Sequence, residues 1–218
     1  RMRFKEFGMP VGIAGGIPER WKKIRLDKIF KPVKQKNKSG CKRVLTASGQ
    51  LGLVDQQEYF KRDVSGADLE KYYLIHNGEF AYNRSSMKTY PYGAIKRLDR
   101  YEQGIVSTLY LCFSMVNDSD NSDFYRHYFE SGLFNKSLSG IVQVGARAHG
   151  LLNVLNEDFF NLEISQPSSK EQAKIAAVLN EIENQIQIYE IQLKKIKVQK
   201  QGLMQILLTG QIRVKVEA

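Results

Sequence analysis

The stretch that decides the fold is PSSKEQAKIAAVLNEIENQIQIYEIQLKKIKVQKQGLMQILLTG, residues 167–210. No proline follows its first residue, and Gly202 is its only glycine before Gly210. Ser168 and Glu171 have the spacing of a capping box, in which each side chain binds a free backbone N–H of the first turn. Gly210 suits the end of a helix because glycine adopts the left-handed conformation without strain. The stretch therefore predicts one helix of about 38 residues, roughly 57 Å long.

Ten positions of this helix form a stripe in which steps of four and three residues alternate, and nine of the ten are apolar. They are Ile175, Leu179, Ile182, Ile186, Tyr189, Leu193, Ile196, Lys200, Leu203 and Leu207. A mean spacing of 3.5 residues is typical of a coiled-coil seam, so we expect the stripe to pair with a second helix. Lys200 either fixes the register of that pair or extends from the edge of the seam. The alternative is a long helix that packs back onto its own domain.

The sequence before Pro167 has a different pattern, in which short apolar runs are separated by Gly, Asn, Asp and Ser. Such runs indicate strands, and the clearest are residues 72–75, 104–111 and 140–144. Apolar side chains at helical spacing occur over residues 20–30 and 122–133. The mixture predicts an α+β protein, with an irregular domain of short strands followed by one long C-terminal coiled-coil helix.

These patterns also predict how the chain is organised. We expect a flexible lead-in over residues 1–16 and a folded domain over 17–166. The long helix, which we expect to pair with a second one, then occupies residues 167–210, and a tail follows at 211–218.

Composition excludes several classes of protein. The 218 residues include 33 Lys and Arg against 23 Asp and Glu, a net charge of +10 that favours a polyanionic partner. No apolar run approaches the roughly 18–20 residues of a membrane span, and the N-terminus has no secretory signal. Cys41 and Cys112 lack the spacing of a disulfide scaffold or a zinc ribbon. We therefore expect a soluble cytoplasmic protein that has no membrane partner.

Catalytic motifs are also missing from the sequence. It contains no Gly-rich nucleotide-binding motif, no Asn/Asp-Pro-Pro-Tyr/Phe tetrad of adenine methyltransferases and no GxSxG. Its three histidines have no partner at metal-ligand spacing, and Asp55, Glu58 and Lys61 match no nuclease arrangement. We predict no catalytic residue, no metal site and no cofactor.

The positive charge is concentrated in residues 20–43, where eleven Lys and Arg are opposed only by Asp27. Such a segment is a candidate surface for binding phosphates. The candidate contacts are Lys34, Lys36, Lys38, Lys42 and Arg43. The alternative is an ordinary solvated lysine loop.

Two further segments, residues 80–93 and 144–150, combine cations with groups that bind base edges. Their candidate DNA-binding residues are Asn83, Arg84, Ser85, Lys88, Arg147 and His149. The alternative for the first segment is that its tyrosines pack beneath a turn. For the second segment, the alternative is that His149 is an ordinary surface histidine.

Four fragments carry a family resemblance when they are taken in order. They are IPERWKKIRL at 17–26, GEFAYNRS at 78–85 with GIVSTLY at 104–110, PSSKEQAKIA at 167–176, and LMQILLTGQIR at 203–213. They resemble the opening, the central block and the two ends of the conserved helix in one half of the specificity (S) subunit of type I restriction–modification systems.

This resemblance implies a non-enzymatic subunit that recognises double-stranded DNA and recruits methyltransferase (M) and restriction (R) subunits. It implies that residues 17–166 are a DNA target recognition domain and that residues 167–210 are its conserved spacer and dimerisation helix. S-adenosylmethionine, ATP and Mg²⁺ would belong to those partners, and this chain would need no cofactor of its own. The family's usual chain has two recognition domains and two antiparallel helices, whereas this chain has one of each. It is then either a natural half-subunit that forms a homodimer or a fragment of a longer chain.

The hypothesis that follows is recognition of a bipartite, inverted-repeat DNA site by two copies joined through the long helix. The alternative is a dimeric protein-interaction adaptor that binds nucleic acid without sequence preference. A third possibility, a nuclease, requires Mg²⁺-dependent cleavage by the isolated chain.

Overall fold

The structure is a computed structural model, and it describes residues 18, 20–49, 51–61, 68–86, 90–117, 119–142 and 150–214. The chain divides into two compact units, Arg1–Gln172 and Ala173–Ala218. The predicted fold class is confirmed, because short strands and helices are followed by one long C-terminal helix. The predicted flexible lead-in at residues 1–16 lies outside the described residues.

The first unit contains ten short strands among its described residues. They are β1 Lys22–Arg25, β2 Phe30–Val33, β3 Leu45–Ser48, β4 Gly52–Asp55, β5 Tyr73–His76, β6 Phe80–Asn83, β7 Ala94–Arg97, β8 Gln103–Val106, β9 Tyr110–Met115 and β10 Glu163–Gln166. The helices are α1 Leu26–Ile29, α2 Gln56–Phe60, α3 Ser122–Glu130, α4 Asn135–Ser139, α5 Asn156–Asn161 and the long α6 Ser169–Leu208. A 3₁₀ turn covers Leu69–Lys71.

Three local predictions are wrong. Residues 20–30 are not one helix, because β1 pairs with β10 from the far end of the unit and α1 is a single turn. The run at 104–111 divides into β8 and β9, which are separated by a turn at Ser107. Residues 140–142 follow α4 without forming a strand, and 143 and 144 lie outside the described residues. The helix predicted at 122–133 is confirmed as α3, which ends three residues early.

The centre of the first unit is a four-stranded antiparallel sheet in the order β2-β9-β6-β7. Side chains alternate between its two faces. On one face, Phe30, Phe80 and Phe113 pack with Phe129 of α3, and the rings of Phe80 and Phe113 are stacked 5.3 Å apart. The opposite face carries Ala81 and Cys112, which pack in a second core. That core is completed by Leu45, Leu53, Ile75 and Val106 from the two-stranded sheets β3-β4 and β5-β8.

Helix α6 has 40 residues, so it is about 60 Å long, close to the predicted length. Gly210 has the expected left-handed conformation, with φ of 75°, and its N–H donates to the carbonyl of Leu207. The predicted capping box is only half present. The N–H of Glu171 donates to Ser168 Oγ at 3.4 Å, but the Glu171 carboxylate binds Arg20 and Trp21 instead.

Candidate nucleic-acid interface

The strand order brings the predicted DNA-binding segments to one end of the four-stranded sheet. β2 and β6 both run antiparallel to β9, so they run in the same direction and their C-terminal ends lie at the same end of the sheet. One strand separates them, a distance of about 10 Å. The turn before β9 and the segment before β7 also lie at this end. We call it the sheet-end surface, which consists of residues 34–38, 84–86, 90–93 and 107–109.

The lysine segment after β2 is a loop built around a buried amide. Asn37 Nδ2 donates to the carbonyls of Cys41 and Leu69 at 2.8 and 3.3 Å, and its Oδ1 accepts from the N–H of Cys41 at 2.9 Å. The backbone of Gln35 and Asn37 also bonds to the chain around β5. The loop therefore holds its exposed lysines on a fixed backbone, which an ordinary solvated loop does not need.

The candidate cations differ in what they contact. Lys34, Lys38 and Lys42 are exposed, and their side chains make no hydrogen bond or ion pair among the described residues. Lys36 donates to the carbonyl of Lys71 at 2.8 Å and lies over the ring of Tyr73. Arg43 lies beside β8, over the ring of Tyr101, with its Nε 4.0 Å from Asp55 Oδ2. The cations with no partner are those best able to bind phosphate.

The residues after β6 are fixed by the backbone around them. Arg84 Nε donates to the carbonyl of Leu109 at 2.8 Å, and Nη1 donates to the carbonyl of Val154 at 3.0 Å. Asn83 Oδ1 accepts from the N–H of Ser85 at 3.2 Å. Arg84 therefore orders the sheet-end surface from within, and this role was not expected from the sequence.

The structure places two predicted segments side by side: the residues after β6, within 80–93, lie next to the end of 144–150 and the residues that follow it. The N–H of Ser86 donates to the carbonyl of Gly150 at 2.7 Å, and the N–H of Leu152 donates to the carbonyl of Arg84 at 2.8 Å. Ser85 and Leu151 form an antiparallel bridge. The described flanks of the two segments are therefore paired. Three candidates, Lys88, Arg147 and His149, lie outside the described residues.

Two tyrosines of residues 80–93, Tyr82 and Tyr90, make contacts within the domain, as the alternative for that segment predicts. Tyr82 is buried and stacked on Phe159, and burial raises the pKa of its hydroxyl, which donates to the carbonyl of Tyr92 at 2.6 Å. Tyr90 donates to the carbonyl of Gly49 at 3.0 Å. Gly93 has a φ of +82°, and a Cβ there would be 2.4 Å from the carbonyl oxygen of Asn83. The return of the chain into β7 therefore requires glycine at this position.

A buried lysine of β7 was missed in the sequence. Lys96 Nζ lies 3.0 Å from Glu130 Oε1, 3.2 Å from the carbonyl oxygen of Gly49 and 3.3 Å from the Tyr90 hydroxyl. The signal that could have revealed it is a lysine inside the apolar strand pattern of residues 94–98.

Carboxylates do not gather into a metal site in the described part of the chain. No group of three or more His, Cys, Asp or Glu residues there could hold a metal ion. Asp55 caps α2, because its Oδ1 accepts from the N–H groups of Gln57 and Glu58. Among the described helices, none is long and apolar enough to span a membrane.

Solved structures with a similar fold come from type I restriction–modification systems. A chain from a structure on complex assembly and conformational transition of the type I R-M system has 14% identity and a TM-score of 0.55, over 88% of this chain and 49% of that chain. The HsdS subunit from Thermoanaerobacter tengcongensis has 16% identity and a TM-score of 0.46, over 82% and 41%. The S subunit from M. genitalium has 14% identity and a TM-score of 0.48, over 85% and 45%.

The chain shares its fold with the first of these structures, a chain from a type I R-M system. It spans about half the length of the structures that it matches. No protein-family model matches the sequence. At 14% identity the similarity establishes the fold, so the function has to be argued from the surfaces of this chain.

The second unit, taken by itself, is the rest of α6 and the few residues that follow it. From residue 186 onward the apolar members of the predicted stripe are 39–67% exposed. Those exposed members are Ile186, Tyr189, Leu193, Ile196, Leu203 and Leu207. Ile175 and Ile182 are half-buried, and Leu179 is 38% exposed. In this unit the helix therefore carries a long exposed apolar stripe, a surface typical of protein–protein contacts.

Proposed function

We propose that this chain is a DNA-recognition subunit of a type I restriction–modification complex. Its sheet-end surface would bind double-stranded DNA, with the lysine loop on the phosphates and the segments after β6 at the base edges. The observation that carries the proposal is the meeting of two separately predicted segments, the lysine loop and the residues after β6, at one end of one sheet.

In this proposal the chain recognises DNA and carries out no chemistry itself. The M subunits would methylate adenine and the R subunit would cut DNA, using their own S-adenosylmethionine, ATP and Mg²⁺. The exposed stripe of α6 would pair with the same stripe of a second copy. Such a pair is two-fold symmetric, so it would hold two sheet-end surfaces at a fixed distance on an inverted-repeat site.

Counterion release should dominate the affinity, since the unpaired lysines are placed to meet phosphates. The slope of log K against log salt is negative. We predict that Lys34→Gln/Lys38→Gln makes this slope shallower by about 2 and weakens binding to all duplexes alike. Fluorescence anisotropy of the full chain with a random-sequence duplex, over a series of salt concentrations, measures this slope.

The matched control for this experiment is Lys194→Gln/Lys195→Gln, which removes the same charge from exposed positions of α6. It should leave the slope within about 0.5 of the parent value. An unchanged slope in the Lys34/Lys38 variant would remove the lysine loop from the interface. A chain that binds all duplexes equally, with or without M subunits, would support the adaptor alternative instead.

A further inference from the structure

The side chain of Lys96 is a buried cation whose partners come from three different parts of the first unit. It is 3% exposed. Its ammonium contacts Glu130 at the end of α3, the Gly49 carbonyl after β3, and the hydroxyl of Tyr90. Tyr90 also donates to Gly49, so the last two partners are bonded to each other. A buried charge is tolerated only where such partners surround it, so the cluster has one defined geometry.

We propose that Lys96 is a positioning residue for DNA recognition, which fastens Tyr90 and the turn after β3 to α3 and thereby fixes the sheet-end surface. This inference rests on the proposed function. Lys96 acts through Tyr90, which begins the part of the sheet-end surface that leads back into β7.

The geometry excludes a direct role for Lys96 on phosphate. An ammonium group has three N–H donors, and three oxygen acceptors lie within 3.3 Å of Nζ. The ammonium also lies 5.1 Å from the centre of the Tyr90 ring. No donor is left for a fourth partner, and the group is closed off from solvent.

The cluster fixes the start of the segment at residues 90–93, whose Tyr92 carbonyl is held separately by the Tyr82 hydroxyl. Residues 84–86 are held by the bonds of Arg84 to Leu109 and Val154 and by the bond of Ser86 to Gly150. The segment that begins at Tyr90 is held at its outer end by the cluster. Hydrogen bonds to base edges require accurate placement of donors and acceptors, so looseness at Tyr90 should reduce discrimination between bases.

The test has to separate positioning from simple stabilisation of the fold. Lys96→Met alone leaves the Glu130 carboxylate without its cation and is at risk of unfolding. Lys96→Met/Glu130→Gln removes both charges at similar volume, an exchange that proteins often tolerate. The matched control is Lys71→Met/Asp68→Asn, which removes an exposed ion pair of 2.9 Å at another place.

The first measurement is hydrogen exchange of the full chain without DNA. In Lys96→Met/Glu130→Gln we expect exchange at least about tenfold faster in peptides covering residues 47–54 and 90–97, with peptides of β9 and α6 unchanged. The Lys71/Asp68 control should leave the two regions unchanged. Unchanged exchange in the Lys96/Glu130 variant would overturn the proposal, and this result does not depend on DNA binding.

The second measurement is discrimination between bases. The wild-type full chain, together with M subunits, first enriches its preferred duplex from a random library. The ratio of Kd between single-base-pair variants and that duplex should then fall about tenfold in the Lys96/Glu130 variant, with the salt slope unchanged. Faster exchange with full discrimination would overturn the positioning role. If the wild-type chain enriches nothing, the proposed function fails, and the exchange result alone decides whether Lys96 fastens the surface.

Discussion

Arg84 illustrates how one side chain organises the sheet-end surface. Its guanidinium joins the end of β6 to the turn before β9 and to Val154 of a distant segment, through the carbonyls of Leu109 and Val154. Both acceptors lose a charged donor when the side chain is removed. Hydrogen bonds from charged donors contribute more than those between neutral groups.

We predict that Arg84→Ala lowers the free energy of unfolding by about 1–3 kcal/mol. Trp21 is the only tryptophan and lies in the first unit, so its fluorescence during urea unfolding measures the change. The control is Arg100→Ala, since Arg100 is exposed and makes no hydrogen bond or ion pair with a described residue. It should change the free energy by less than about 0.5 kcal/mol. Equal effects of the two variants would contradict the organising role of Arg84.

The sequence predicted which segment holds Arg84 but not what Arg84 binds. Residue type and charge indicate candidates for DNA contact, and they do so equally for Arg84 and for Lys34. The partners of Arg84 are backbone carbonyls brought together by strand pairing across the whole unit, which leaves no local pattern. Lys96 was missed for the same reason, because its acceptors lie on three separate elements.

At the scale of elements, the start of α6 is bonded to the start of α3 through one buried side chain, Gln172. Gln172 is fully buried, and its Oε1 accepts from the N–H of Asn121 at 2.9 Å. Its Nε2 donates to the carbonyl of Pro167 at 3.1 Å and to Asp120 Oδ1 at 3.3 Å. Gln172 therefore joins the first turn of α6 to the N-cap of α3.

We predict that Gln172→Ala lowers the free energy of unfolding by about 1–3 kcal/mol, because the Asn121 N–H and the Pro167 carbonyl lose a partner and Asp120 keeps only its bond from Gln166. The matched control is Gln185→Ala on the same helix, where the exposed side chain bonds only to Glu181. Its effect should stay within about 0.5 kcal/mol. A similar effect of both variants in urea unfolding would show that the buried contacts of Gln172 add nothing.

Long elements with local patterns were predicted well, and short ones were not. The length of α6 and its end at Gly210 follow from spacing and capping signals that lie within the helix itself. The helix predicted at residues 20–30 was wrong because β1 is specified by its partner β10, some 140 residues away. The predicted capping box was half wrong for the same reason, because the Glu171 carboxylate accepts from Arg20 and Trp21, about 150 residues away. Contacts of this range do not show in a window of sequence.

At the scale of the whole molecule, the stripe of α6 exposes apolar side chains to water, which is unfavourable unless another surface packs on it. Leu193 and Ile196 lie in the stripe and are 52% and 60% exposed. Apolar side chains at coiled-coil spacing are stabilised when a second helix removes them from water. A second copy of the chain offers the same stripe.

We predict that the wild-type chain is a dimer at micromolar concentration and that Leu193→Glu/Ile196→Glu is a monomer, because the new carboxylates would face each other in an apolar seam. Analytical ultracentrifugation measures both masses. Ile191→Glu/Val198→Glu is the matched control, since these two exposed residues lie on the opposite side of the helix, and it should remain a dimer. A monomeric wild-type chain would favour the alternative in which the helix packs on its own domain.

The most direct test of the account is the set of duplexes that the full chain, with M subunits, enriches from a random library. Recognition by two copies joined through α6 predicts two inverted half-sites separated by a constant number of base pairs. Enrichment of no sequence, or of half-sites at variable separation, would contradict it.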